Sequence, residues 1–78
     1  MIDISNRNKI NIRDKKITVI GLGMSGTAAA TLANHLGARV FGSDSSEDYQ
    51  VTDNGLHLLK NHIASETGLH SKKIYDAD

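Results

Sequence analysis

The stretch that most limits what this chain can become is VIGLGMSG, residues 19–26. Three glycines spaced G-x-G-x-x-G follow a β-branched run and precede an alanine-rich segment. Ile17 to Ile20 is almost continuously apolar, which fits a strand covered on both faces better than one facing water. Beyond the glycines, Ala28, Ala29, Leu32, Ala33 and Leu36 recur at helical spacing, and Gly37 sits where a helix stop belongs. A strand, a glycine turn and a helix within about 30 residues form the unit that lays a backbone against a phosphate. In that unit Gly21 permits the tight turn out of the strand. Gly23, without a Cβ, lets the backbone approach a pyrophosphate, and Gly26 lets the helix lie close to the strand. Met24 and Ser25 open the helix, where free N–H groups and the positive end of the dipole face an anion. Ser25 is also a candidate to add a hydroxyl hydrogen bond or to cap the helix.

Arg39 to Gly42 reads as a second strand ending at SDSS, so that Asp44 lies where an acid of a dinucleotide fold meets a ribose. From Thr52 onward, Leu56, Leu59 and Ile63 share helical spacing, with Thr52 or Asp53 as N-cap. Two continuations fit the next residues. Either HIASETG prolongs this helix, or the chain turns at Asn61–His62 and runs a third strand from Ile63 to Thr67. The closing HSKKIYDAD reads as one short helical turn capped by Ser71. The order β-α-β-α-β predicts an α/β fold, a small Rossmann-like parallel sheet of about three strands with flanking helices. Residues 16–78 form the domain. Residues 1–15 are a polar lead-in, in which Ile10 and Ile12 alternate with polar residues and offer a short edge strand as the other reading. A chain that stops after a helix in such an alternation is expected to be a piece of a larger protein, cut before its next strand.

Composition narrows the partners. At 78 residues this is one small domain, with a thin stability margin because such a chain buries only about 60% of its unfolded surface. Nine Lys and Arg balance nine Asp and Glu, so there is no basic field for nucleic acid or a membrane surface. With no Trp, two Tyr and one Phe, there is little to stack bases on. No apolar stretch approaches the roughly 20 residues of a membrane span, and the polar start carries no signal-peptide core; a cytoplasmic protein is expected. The absence of Cys excludes disulfides and thiolate metal sites. No two of His35, His57, His62 and His70 have the i, i+4 spacing of a helical zinc motif, so no metal site is expected. Lys72–Lys73 reads as a solvated face, and SDSSED as a loop and helix cap. Ser25 has no His–Asp arrangement to make it a nucleophile.

The residues KKITVIGLGMSGTAAATLANHLGARVFGSD resemble the N-terminal segment of the Mur ligases, the ATP-driven amino-acid ligases of peptidoglycan synthesis, and most of all the branch that adds D-glutamate. The resemblance covers Lys15 to Asp78. GLHSKKIYDAD is similar to the family's stretch before a strand ending in a Ser-Pro-Gly turn, which implies a strand at Ile63–Thr67 and a fourth just beyond Asp78. The resemblance implies a Rossmann-like domain that holds the UDP part of UDP-N-acetylmuramoyl-L-alanine rather than NAD. Gly23, Met24, Ser25 and Gly26 would lie along the diphosphate; Asp44 and Ser45 would face the uracil and its ribose. Ser46 departs from the branch, which can carry Arg there. VFGSD also resembles the L-alanine-adding relatives, whose extra loop glycine pattern GLGMSG lacks. ATP and Mg²⁺ serve the family's reaction through a G-x-x-G-K-[ST] loop. No such sequence occurs here, so the chain is expected to bind substrate, with the remaining ligase domains as partners, and to catalyse nothing alone.

Two other readings use the same residues. An NAD(P)-binding domain of an oxidoreductase or regulatory subunit would use the glycines likewise, with Asp44 accepting hydrogen bonds from the adenosine ribose. A ligand-free fragment would pair with another copy, as a homodimer, through an exposed sheet edge.

Overall fold

A computed structural model of the chain describes residues 12–77; the alternative strand at Ile10 and most of the lead-in lie outside them. Strand β1 (Lys16–Ile20), helix α1 (Met24–His35), strand β2 (Arg39–Asp44), helix α2 (Tyr49–Lys60), strand β3 (Ala64–Thr67) and a 3₁₀ turn, Lys72–Tyr75, follow one another. The strands form a three-stranded sheet in the order β1-β2-β3. Both pairings are parallel, with Val19 beside Gly42 and Gly42 beside Ser65. This is the expected α/β, Rossmann-like arrangement. Among the described residues no helix is long and apolar enough to cross a membrane.

Two crossovers stepping the same way across a sheet put both helices on one face. Leu22, Ala30, Ala38, Val40, Leu58 and Ile63 form the core between helices and sheet, with Ile12, Ile17, Val19, Ala33 and Val51 packed around it. Gly42 makes room for it, since a Cβ there would lie 3.0 Å from a Leu22 methyl and 3.3 Å from a Leu58 methyl. On the opposite face the chain returns from β3 to β1, where Lys16 and Asp76 approach to 3.4 Å. That pair is exposed and contributes little.

Both helices end in the same way. At the end of α1, Gly37 (φ +97°) donates to the Asn34 carbonyl at 3.0 Å and Ala38 to the Ala33 carbonyl at 3.1 Å. At the end of α2, His62 (φ +65°) donates to Leu59 at 3.0 Å and Ile63 to Leu58 at 2.9 Å. Each is a left-handed helix stop that answers otherwise orphaned carbonyls. The turn at Asn61–His62 therefore decides between the two continuations, and a third strand follows it. Three boundaries differ from expectation. β2 runs on to Asp44 instead of closing at Gly42, because Gly42, Ser43 and Asp44 pair with Ser65, Glu66 and Thr67. β3 begins at Ala64, since Ile63 is still closing the helix stop. α2 begins at Tyr49 with Asp48 as N-cap, not at Thr52 or Asp53, because Ser46 and Asp48 have already turned the chain.

Candidate functional site

The turn between β1 and α1 is built around Leu22. Its side chain is fully buried, which is worth about 1.5–3 kcal/mol, and every backbone polar group it has is used. Its N–H donates to Asp44 Oδ2 at 2.7 Å. Its carbonyl accepts from Asn54 Nδ2 at 2.8 Å and Thr27 Oγ1 at 3.2 Å. One residue earlier, the Gly21 N–H reaches the Ser43 carbonyl at 2.8 Å. The loop is thus tied to β2 and α2 by residues far away in sequence.

The three glycines separate by what demands them. Gly21 has φ +97°, a backbone that side chains rarely adopt. At Gly26 a Cβ would run into the Gly21 carbonyl, so the helix can approach the strand only without one. Gly23 has neither constraint. Its φ is −74°, and a Cβ built on it meets nothing within 4 Å.

Gly23 is also the N-cap of α1, with no side-chain cap. The first ladder bond runs from the Thr27 N–H to the Gly23 carbonyl at 2.9 Å, so the N–H groups of Met24, Ser25 and Gly26 precede the ladder. No acid lies in the first turn. Ser25 is exposed on the second helical residue and does not cap the helix; its expected capping role falls to the Gly23 backbone. Met24 is exposed as well.

Asp44 ends β2 beside this turn, as expected, but its carboxylate is a tie. Oδ2 holds the Leu22 N–H, and Oδ1 accepts from the Ser46 N–H at 2.8 Å. These two donors, Leu22 first, hold its carboxyl below the ordinary value of 3.8. Each oxygen keeps a lone pair for a further donor. Ser45 follows, exposed.

A second cluster at the same sheet end was not legible in the sequence. Ser43, fully buried, has its Oγ 2.7 Å from Glu66 Oε2 and 2.7 Å from His70 Nδ1. Glu66 Oε2 also accepts the Ser71 N–H at 2.7 Å. Contacts from Ser71, then the Ser43 hydroxyl and the Lys73 charge, hold the Glu66 carboxyl below its ordinary 4.5. Ser71 caps the 3₁₀ turn as expected, taking the Lys73 N–H at 3.2 Å. Only the strict alternation of β2 and β3, which turns Ser43 and Glu66 to the same face, could have signalled the pair.

A hollow of about 840 Å³ runs between α1 and α2. It lies on the helical layer, and only its Met24 end meets the glycine turn. Ligands of open α/β sheets bind outside the carboxyl ends of the strands, so the turn, not this groove, is the candidate site.

A family model described as "Alanine dehydrogenase/PNT, C-terminal domain" matches residues 6–78. Among curated proteins the chain is similar to a UDP-N-acetylmuramoylalanine--D-glutamate ligase of Chlorobium chlorochromatii, 44% identical over 73 residues, which cover 88% of this chain and 14% of the relative. A protein of the same name from Koribacter versatilis is 38% identical over 66 residues, 85% of this chain and 15% of the relative. The chain spans about 15% or less of the length of these relatives.

Proposed function

This chain belongs to the family described as alanine dehydrogenase/PNT, C-terminal domain, and we propose that it is the nucleotide-holding part of a peptidoglycan D-glutamate ligase, gripping the UDP end of UDP-N-acetylmuramoyl-L-alanine. Its similarity to two ligases that carry D-glutamate in their names supports that choice within a Rossmann-like unit. The observation that carries the reading is Gly23. The fold explains a glycine at 21 and at 26, whereas at 23 the chain's own packing asks for none. The space a side chain would fill there lies before three N–H groups and a helix dipole, which suits a diphosphate.

In this reading the N–H groups of Met24, Ser25 and Gly26 bind the diphosphate. Asp44 and Ser45 face the uridine, and Asp44 also fixes the turn through Leu22. The role is anchoring: no G-x-x-G-K-[ST] sequence is present to hold ATP with Mg²⁺, so phosphoryl transfer would fall to partner domains of the ligase. The setting is the cytoplasm, where nucleotide-linked precursors are made.

The family match favours one second reading, a dinucleotide such as NAD on the same turn, with Asp44 on the adenosine ribose. An NMR titration of the labelled chain with UDP-N-acetylmuramoyl-L-alanine, UDP and NAD separates them. Shifts at Gly23 to Gly26 and Asp44 with both uridine ligands and none with NAD are expected. Shifts with NAD alone would replace the ligase reading by the dinucleotide one, and silence with all three would reject both.

A further inference from the structure

We infer that Asn54, on α2, is a positioning residue for the diphosphate: by holding the Leu22 carbonyl it turns the Gly23 N–H outward as a fourth donor beside those of Met24, Ser25 and Gly26. The inference rests on the nucleotide reading above and adds to it a residue that the glycine motif does not contain.

The direction of the Gly23 N–H follows from the carbonyl before it. The Leu22–Gly23 peptide is trans, and in a trans peptide the C=O and the following N–H point opposite ways. The Leu22 carbonyl accepts from Asn54 Nδ2 at 2.8 Å and from Thr27 Oγ1 at 3.2 Å. Thr27 stands one turn into α1, so this carbonyl points up the helix toward its C-terminus, as the helix's own carbonyls do. The Gly23 N–H therefore points out of the N-terminus, the way the free N–H groups of the first turn point. Gly23 is exposed, and among the described residues no acceptor takes its N–H.

That orientation needs a hold. Gly23 tolerates φ of either sign, and Gly21, on the other side of Leu22, already has φ +97°, so the backbone alone does not stop this peptide from turning over. Turned over, it would set the negative end of the Leu22 carbonyl before the helix N-terminus, against a diphosphate. Two donors oppose the turn. Thr27 is local, five residues on, and its bond is the longer. Asn54 comes from another element, 32 residues away, with the shorter bond. Its amide has one possible sense: a carbonyl only accepts, so the atom facing Leu22 is Nδ2, while Oδ1 takes Gln50 Nε2 at 3.1 Å from one turn earlier on α2. Asn54 is half-buried and acts on the ligand through the peptide, not by touching it.

NMR titration of the whole labelled chain with UDP, and with uridine as the phosphate-free control, reads the Gly23 amide proton. In the wild type UDP should move it downfield together with those of Met24, Ser25 and Gly26, and uridine should not. Asn54→Ala should reduce the Gly23 displacement and weaken UDP by about 3- to 10-fold, the value of one hydrogen bond. Ser65→Ala is the comparison. It too removes one side-chain hydrogen bond to α2's surroundings, that of Ser65 Oγ to the Gly55 carbonyl at 2.9 Å, but on the β3 side of the helix, and it should leave UDP binding as in the wild type. A wild-type Gly23 amide that UDP leaves in place while those of Met24, Ser25 and Gly26 move overturns the inference, whatever the variants do, and leaves the nucleotide reading standing. Asn54→Ala binding UDP as tightly as the wild type, or Ser65→Ala weakening it equally, does the same. A wild type that does not bind UDP overturns both.

Discussion

Two turns at the same edge of the sheet do opposite things. One joins β1 to α1 through Gly21–Gly23; the other joins β2 to α2 through residues 45–48. Each leads into a helix of 12 residues, and neither N-cap, Gly23 or Asp48, makes a side-chain cap. The two helix dipoles are equal in kind. The second turn is nonetheless filled by its own side chains. Asp44 takes the Ser46 N–H, Ser46 Oγ takes the Asp48 N–H at 2.9 Å, and Glu47 and Asp48 bring negative charge to the helix start. The first turn sends its one large side chain, Leu22, into the core and leaves only glycine backbone before the helix. A helix N-terminus alone does not make an anion site. What sets the first turn apart from the second is clearance, and the absence of acid.

The strongest challenge to this contrast is to loosen the first turn from beneath. Leu22→Ala removes a fully buried side chain at a site locked by three hydrogen-bonded neighbours. It should cost about 3 kcal/mol, a large share of the roughly 4–12 kcal/mol that a domain of this length has. Urea denaturation measures it. A loss under about 1 kcal/mol would mean that the turn is not held by Leu22.

Asp44 ties the two turns together, so its removal should affect both. Asp44→Asn keeps one acceptor and sets an amide against a backbone N–H, for an expected loss of about 1–3 kcal/mol. The same tie predicts a pH dependence. Asp44 and Glu66 both have carboxyls held below their ordinary 3.8 and 4.5 in the folded chain. As pH falls the unfolded chain takes up those protons first, so the stabilisation is complete above those values and is lost as pH drops through the folded ones. Thermal melts from pH 6 down to pH 2 should show this loss, reduced in Asp44→Asn. A melting curve as steep in acid for the variant as for the wild type would remove Asp44 from the account.

The smallest effect belongs to the second turn. Ser46→Ala loses one loop hydrogen bond and should cost about 0.5–1 kcal/mol, with UDP binding unchanged. A change in affinity as large as that from altering the first turn would erase the distinction between them.

How far the sequence could be read follows from how local each signal is. The β-branched run, the glycine spacing, the small-residue stripe of α1 and the stop at Gly37 are neighbours along the chain, and each appeared where expected. The N-cap expected at Thr52 or Asp53 lies four or five residues beyond the actual one, Asp48, because Tyr49 and Gln50 precede the apolar stripe of α2 and Asp48 does not use its side chain as a cap. The end of α2 stayed open because His62, not a glycine, takes the left-handed position. In the site, the jobs of Gly21 and Gly26 were legible from spacing. The grip of Asp44 and Asn54 on Leu22, and of Ser43 on Glu66 and His70, was not. Those partners stand more than 20 residues apart, and only the folded sheet brings them together.

The central claim is that Gly23 is a glycine for the sake of a ligand. The direct test is Gly23→Val, taken through a thermal melt and a UDP titration beside the wild type. Open space and a φ of −74° predict a folded variant, destabilised by no more than about 1–2 kcal/mol from the altered N-cap. The same variant should lose the UDP-dependent shifts at Met24, Ser25 and Gly26. A Gly23→Val chain that binds UDP as tightly as the wild type would contradict the account.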